Sequence, residues 1–199
     1  MAYLTDADLF LKPLSSSLFP DVPASVQAHS GFSSQQARYV TFHHFPRILV
    51  TITTKKQTKN LRRTASAILS AVQQTLSAHG SASSVTVVGH SLGAALALLD
   101  GLYLSLNLPN AEVRVIGYGM PRVGNHAFAN WVDSSRLSGQ VTHINNKKDP
   151  VPILPGRSLG YHHASGEVHI TGSGAWEYCP GELAFFSSLA SRRVSLERC

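Results

Sequence analysis

Cysteine is scarce in this chain: Cys179 and Cys199 are the only two among 199 residues. They allow at most one bridge, leave the compartment open, and neither stands at metal-ligand spacing from a histidine. No apolar run approaches the ~20 residues that a membrane-crossing helix needs. The opening "MAYLTDADLF" has neither a basic n-region nor an apolar h-region, so no signal peptide is read in it. Internal repeats are lacking as well, and the 43% hydrophobic content fits one globular domain over residues 1–199 with a real core. Acids are also few, 11 against 17 Lys and Arg. Residues 39–63, "YVTFHHFPRILVTITTKKQTKNLRR", carry six of the basic residues and no acid, and what remains is balanced at 11 of each sign. The excess is therefore one local segment, not a footprint spread over a face, which argues against nucleic acid. A basic surface loop binding polyanions stands as the alternative.

What is present centres on "VTVVGHSLGAALALLDGL", residues 85–102. The β-branched Val85–Val88 run reads as a strand buried on both faces, and the Ala/Leu-rich stretch from Leu92 to Leu106 as a helix. Gly89, Ser91 and Gly93 form G-x-S-x-G between them. That pattern forces a serine onto a tight turn with its hydroxyl clear of the sheet, and the glycines avoid collision between strand and helix. Ser91 is the candidate nucleophile, and Leu92 N–H, at the helix N-terminus, is the expected oxyanion donor. The bland reading is a serine that caps a helix. His90 reads as a packing residue, since a neighbour on a sharp elbow points away from the serine hydroxyl.

Around this element, "SVQAHSGF" reads as a short strand and "TASAILSAVQQTLSAH" as an amphipathic helix with Ile68, Leu69, Val72 and Leu76 on one face. Then "AEVRVIGYG" is a strand, "NHAFANWVD" a helix, "QVTHINN" a strand and "EVHITG" the last strand. Strands alternating with helices give the fold class α/β, a mostly parallel sheet with helices on both faces. Working residues in such sheets lie at the carboxyl ends of strands. Asp149, in "NNKKDPVPILP", stands there and follows Ser91 in triad order, so it is the candidate acid, with an Asp-Pro turn as the alternative. Asp100 and Asp133 fall on helices and read as solvated or structural, and Lys147 and Lys148 as exposed loop charges.

"VTVVGHSLGAALALLD", "YGMPRVGNHAFANWVD" and "VTHINNKKDPVPILP…GYHHASGEVHI" resemble the core of the fungal class 3 lipases, a branch of the α/β-hydrolase fold. The resemblance runs from about Leu4 to Phe32 and from about Thr64 to Gly181. It implies Ser91 as nucleophile, Asp149 as triad acid, an acylglycerol or other ester substrate, no cofactor and no metal. It also implies secretion and work at a lipid–water interface, and some relatives cleave feruloyl esters instead.

Three departures accompany it. The early strands and the second oxyanion donor lie upstream of the matching segment in relatives. Residues 39–63 have no counterpart and split "SGFSSQQAR" from "TASAILSAV", and residues 182–199 form a tail without family pattern. The triad histidine is the third departure: relatives carry it after the last strand, whereas only His162, His163 and His169 follow Asp149 here. The alternative reading is therefore an inactive lipase-like remnant. Donor-like codons fit Arg38-Tyr39-Val40 and Gly181-Glu182-Leu183, so a retained intron is expected at both places, with a genuine surface insertion as the rival at the first. Transcript reads should join Arg38 to Thr64 or a neighbour and lead beyond codon 181 into an exon encoding a histidine; continuous reads through both segments would sink this.

Overall fold

A computed structural model of the chain describes residues 9–35, 41–43, 48–52, 64–79 and 84–179. Its main sheet has seven strands: β3 (Thr41–His43), β4 (Ile48–Ile52), β5 (Ser84–His90), β6 (Glu112–Tyr118), β8 (Val141–Asn146), β10 (Glu167–Ile170) and β11 (Trp176–Cys179). Their spatial order is β11-β10-β8-β6-β5-β4-β3. The five central strands are parallel, and β3 and β11 close the two edges antiparallel. A small sheet of β1 (Leu11–Pro13), β2 (Gln27–His29), β7 (Gly124–Asn125) and β9 (Tyr161–His162) lies beside it. The helices are α1 (Ser30–Gln35), α2 (Thr64–Ala78), α3 (Leu92–Asn107) and α4 (His126–Ser134). This is the α/β architecture expected, with a mostly parallel sheet.

The core follows from the side-chain alternation of strands. Val85 and Val87 of β5 lie in register with Val113 and Val115 of β6, and all four are buried. Helix α3 lies on that row so closely that a Cβ on its Gly101 would stand 2.3 Å from Val115 Cγ2. Every residue of α3 from Gly93 to Ser105 is buried, as expected of a central helix that is apolar all round. The alternate positions Thr86, Val88, Ile116 and Ile144 are half-buried, and Arg114 and Tyr118 are exposed. Burial of β5 on both faces is thus corrected to burial on one, because a half-buried antipode tolerates valine as well as a core does. Helix α2 buries Ile68 and Val72, with Leu69 and Leu76 packed at the margin. Each such aliphatic contributes about 1.5–3 kcal/mol when fully buried.

Two further expectations change. Within residues 39–63, Ile48–Ile52 is a strand paired with β5 from Ile48↔Val85 to Ile52↔Gly89, not part of a loop, because its "ILVTI" is almost wholly β-branched. The six basic residues of that span, residues 182–199 and Cys199 lie outside the described residues. And "EVHITG" is not the last strand: Trp176–Cys179 pairs with it as an edge.

Between β8 and the loop that follows β9 lies a stacked pair of imidazoles, His143 buried and His163 half-buried. His143 and His163 stack at 4.7 Å and 17°; one ring nitrogen of His143 meets Ala164 O at 3.1 Å, and one of His163 meets Pro152 O at 2.8 Å. Burial drives both toward the neutral form, His163 down to about 3, with His143, Arg122 and Arg157 adding to the effect. An unfolded histidine titrates at about 6.5, so between about pH 6.5 and 3 the unfolded chain binds more protons than the folded one. This contribution to stability is complete above pH 6.5 and is lost as the pH falls through that window. Denaturant midpoints should drop steadily from pH 7 to pH 4.5, and His163→Phe should flatten the slope; an unchanged slope in that variant would refute the account.

Candidate active site

The turn from β5 into α3 is set by a backbone approach that admits no side chain. A Cβ on Gly89 would stand 2.1 Å from Gly93 O and 2.7 Å from Ala94 N. Strand and helix therefore meet at van der Waals contact, and the residue between them takes up the bend. That residue is Ser91, at φ 55° and ψ −126°, a left-handed conformation that a non-glycine residue seldom adopts without a compensating surround. Its N–H donates to Tyr118 O at 2.9 Å, and its carbonyl accepts from Ala94 N at 2.9 Å. Although Ser91 holds the N-cap position, its side chain makes no capping bond. The capping reading falls, since a capping serine turns its oxygen back onto the second or third helical N–H. Leu92 opens the helix, so its N–H has no intrahelical acceptor and projects at the same end as the serine.

Asp149 follows β8. Its N–H donates to Asn146 O at 3.0 Å, and its Oδ1 accepts from Val151 N at 3.0 Å, so the Asp-Pro turn is real and leaves Oδ2 outside it. That second oxygen reaches the end of β6: a Cβ on Gly119, itself at φ +54°, would lie 2.8 Å from Asp149 Oδ2 and 3.9 Å from His90 Nε2. The absence of a side chain at Gly119 is what brings acid and elbow together. His90 is exposed, not packed, with its ring on the acid's side of the elbow. The acid loop is held from below. Arg122 N–H donates to Leu154 O at 2.8 Å and Arg122 Nη1 to Pro155 O at 2.8 Å and to Ile153 O, while His163 grips Pro152 O.

The competing acids are accounted for elsewhere. Asp100 is buried in α3, so its solvated reading is corrected. Asp133 accepts Ser165 N and Oγ at 2.8–3.2 Å and pins α4 to the loop before β10. Among the described residues, the Ser91 hydroxyl has no hydrogen-bond partner, and the three histidines that follow Asp149 are engaged elsewhere. His162 lies against His126 at 5.0 Å on the small sheet, His163 is committed to its buried stack, and His169 sits on β10, three strands from the elbow, with Nδ1 3.7 Å from Glu167. Lys147 and Lys148 are exposed, as expected.

The sequence pattern points to Ser91, Asp149 and Leu92 as candidates, but not to the roles of Gly119, Arg122 and His163 in holding the loop that carries Asp149. A glycine directly after a strand in "IGYGMPR" was the available signal for the first. The other two act through carbonyls across a loop and leave no local pattern. Among the described residues, no three His, Cys, Asp or Glu side chains gather as a metal site would require, and no helix is long and apolar enough to cross a membrane.

The site's surroundings have counterparts among known proteins. The chain is 43% identical over 100 residues to a secreted mono- and diacylglycerol lipase, LIP4, of Malassezia restricta, covering 49% of this chain and 33% of that one. Lipase II from Rhizopus niveus superposes with a TM-score of 0.59 at 30% identity over 78% of this chain and 50% of its own. Lip2 lipase from Yarrowia lipolytica does so with 0.64 at 25% identity, over 89% and 57%. The chain thus spans about a third of the length of the curated relatives it matches. The class 3 lipase pattern matches residues 3–159, from before the elbow to the end of the acid loop, and the chain belongs to that family.

Proposed function

We propose that this chain carries the nucleophile and acid of a carboxylic ester hydrolase of lipase type, acting on acylglycerols in a secreted setting. The observation that carries the reading is Ser91 held at φ 55° on the first turn of α3 without capping it, a strain that a structural serine would have no reason to keep. In the reaction, Ser91 Oγ attacks the ester carbonyl carbon and passes its proton to a base. Negative charge develops on the carbonyl oxygen, where Leu92 N–H and the helix end stabilise it. The C–O bond then breaks, the alcohol leaves with a proton, and water hydrolyses the acyl-serine by the same steps in reverse. Asp149 serves to orient a base and stabilise its charged form. The relatives named as mono- and diacylglycerol lipases, and the secretion in their names, support substrate and setting.

His162, His163 and His169, the histidines that follow Asp149, are engaged elsewhere, and a serine hydroxyl is a weak nucleophile without a base. Loss of a triad member costs several orders of magnitude in rate. The chain as it stands should therefore hydrolyse short-chain esters near background, and a fluorophosphonate should label Ser91 only slowly, with Ser91→Ala removing the label. Added imidazole should accelerate the labelling, less so in Asp149→Asn. Label that persists in Ser91→Ala would refute the nucleophile. Rapid turnover without imidazole that Ser91→Ala abolishes would refute the vacant base position.

A further inference from the structure

The stacked imidazoles take no part in the chemistry above, yet one of them grips the loop that carries Asp149. His163 Nε2 meets Pro152 O at 2.8 Å, and Val151 N donates to Asp149 Oδ1 at 3.0 Å, so only Pro150 and Val151 separate the grip from the carboxylate. A ring nitrogen opposite a carbonyl oxygen has to carry the hydrogen, and each ring spends its one N–H in this way, His163 on Pro152 and His143 on Ala164. The other nitrogen of His143, Nδ1, is buried with no hydrogen-bond partner, and a proton there would be a donor with no acceptor. Glu167 and Asp133 favour such a proton, but burial outweighs them. On His163 burial is again the main obstacle, and the charge would stand 4.7 Å from the His143 ring with Arg122 and Arg157 alongside. The closed arrangement thus excludes a second proton from both rings.

The two rings differ in their way out. His143 is 1% exposed and belongs to β8, in the middle of the parallel strands. His163 is half-buried on the segment between β9 and β10, and turns into water when that segment alone moves. Its departure frees Pro152 O and leaves Arg122 holding Ile153, Leu154 and Pro155. What loosens is residues 150–152, next to the acid. Outside, the imidazole takes its second proton at about pH 6.5, so between that pH and about 3 each pH unit favours the open form about tenfold. We propose that His163 is an acid-operated latch on the loop of Asp149: neutral and stacked it holds the acid in place, and protonated it lets the loop go while the sheet and the elbow stay folded. The reaction supplies the trigger, because each ester hydrolysed to an alcohol and a carboxylate releases one proton. Product that accumulates therefore turns the enzyme down. That regulation rests on the reading of Asp149 as the triad acid; the opening of the loop does not.

Hydrogen exchange on the full chain tests the latch. From pH 7 to 4.5 the protection of the Val151 amide, corrected for the intrinsic rate at each pH, should fall about fiftyfold, the gain in the open form from one proton taken up outside. In dilute guanidinium the Val151 rate should hold while those of α3 rise, since a local opening exposes little surface. His163→Gln keeps a neutral N–H for Pro152 O and takes no second proton, so its Val151 protection should stay within about threefold over the same range. A measurement without any variant, deuterium exchange at the His163 ring C2–H, should place its protonation well below 6.5. Constant protection at Val151, an equal fall in His163→Gln, a denaturant response like that of α3, or protonation of His163 near 6.5 would each overturn the latch. From pH 7 to 5 the excess of imidazole-assisted Ser91 labelling over that in Asp149→Asn should shrink in the unaltered chain and persist in His163→Gln; a constant excess in the unaltered chain would overturn the control of Asp149. No excess at any pH, with the Val151 result intact, defeats Asp149 as the acid and leaves the latch standing.

Discussion

The contact between Gly89 and the Gly93 carbonyl is the constraint from which the rest of this structure is built. With no atom beyond Cα at Gly89, β5 and α3 meet at a distance that would be impossible for alanine, and the bend is concentrated in one residue. Ser91 is therefore strained, lifted from the sheet, and placed at the positive end of a helix. The same closeness continues along α3, where Gly101 lies against Val115 and Ala94 against Gly117. A helix so near a sheet leaves no room to drift, and packing at interior density transmits that rigidity to its first turn.

The acid is fixed by different means. It stands on a loop, and loops are mobile unless their carbonyls are claimed. Here four consecutive residues have theirs claimed: Pro152 by His163, and Ile153, Leu154 and Pro155 by Arg122. The stabilisation has a cost at low pH, because one of the clamps is a histidine that must remain neutral. Rigid serine and tethered acid are thus obtained independently, and the gap at Gly119 is where the two arrangements meet.

Much of this was legible in the residues. The α3 run, the amphipathic face of α2 and strands β6, β8 and β10 announce themselves by period, and the elbow by its two glycines. Three things were not. Val85–Val88 cannot say whether one face or two are buried, since valine suits both. Trp176–Cys179 is too short and too exposed to stand out, with Trp176 and Tyr178 each about two-thirds accessible; its strand state comes from its neighbour β10 and not from its own pattern. "YHH" reads as polar loop, yet Tyr161 is fully buried and His163 half-buried, because tertiary stacking against His143 outweighs residue type. The proximity of Asp149 to Gly119 joins residues thirty apart through the end of the sheet, and nothing local encodes it.

The small sheet joins distant parts of the chain: β2 pairs with β7 at Ala28↔Gly124, β7 with β9 at Gly124↔His162, and the Tyr161 hydroxyl donates to Leu9 O. On a ribosome these partners emerge far apart in time. The segment from Leu9 to Gln35 has to wait, its backbone groups served by water, until the stretch holding Tyr161 has left the exit tunnel, whereas β5, α3 and β6 are complete much earlier. Contacts of such sequence separation close late. The order of synthesis is thus the reverse of the order of assembly: the segment from Leu9 to Gln35 is made before β5, α3 and β6 and finds its place after them.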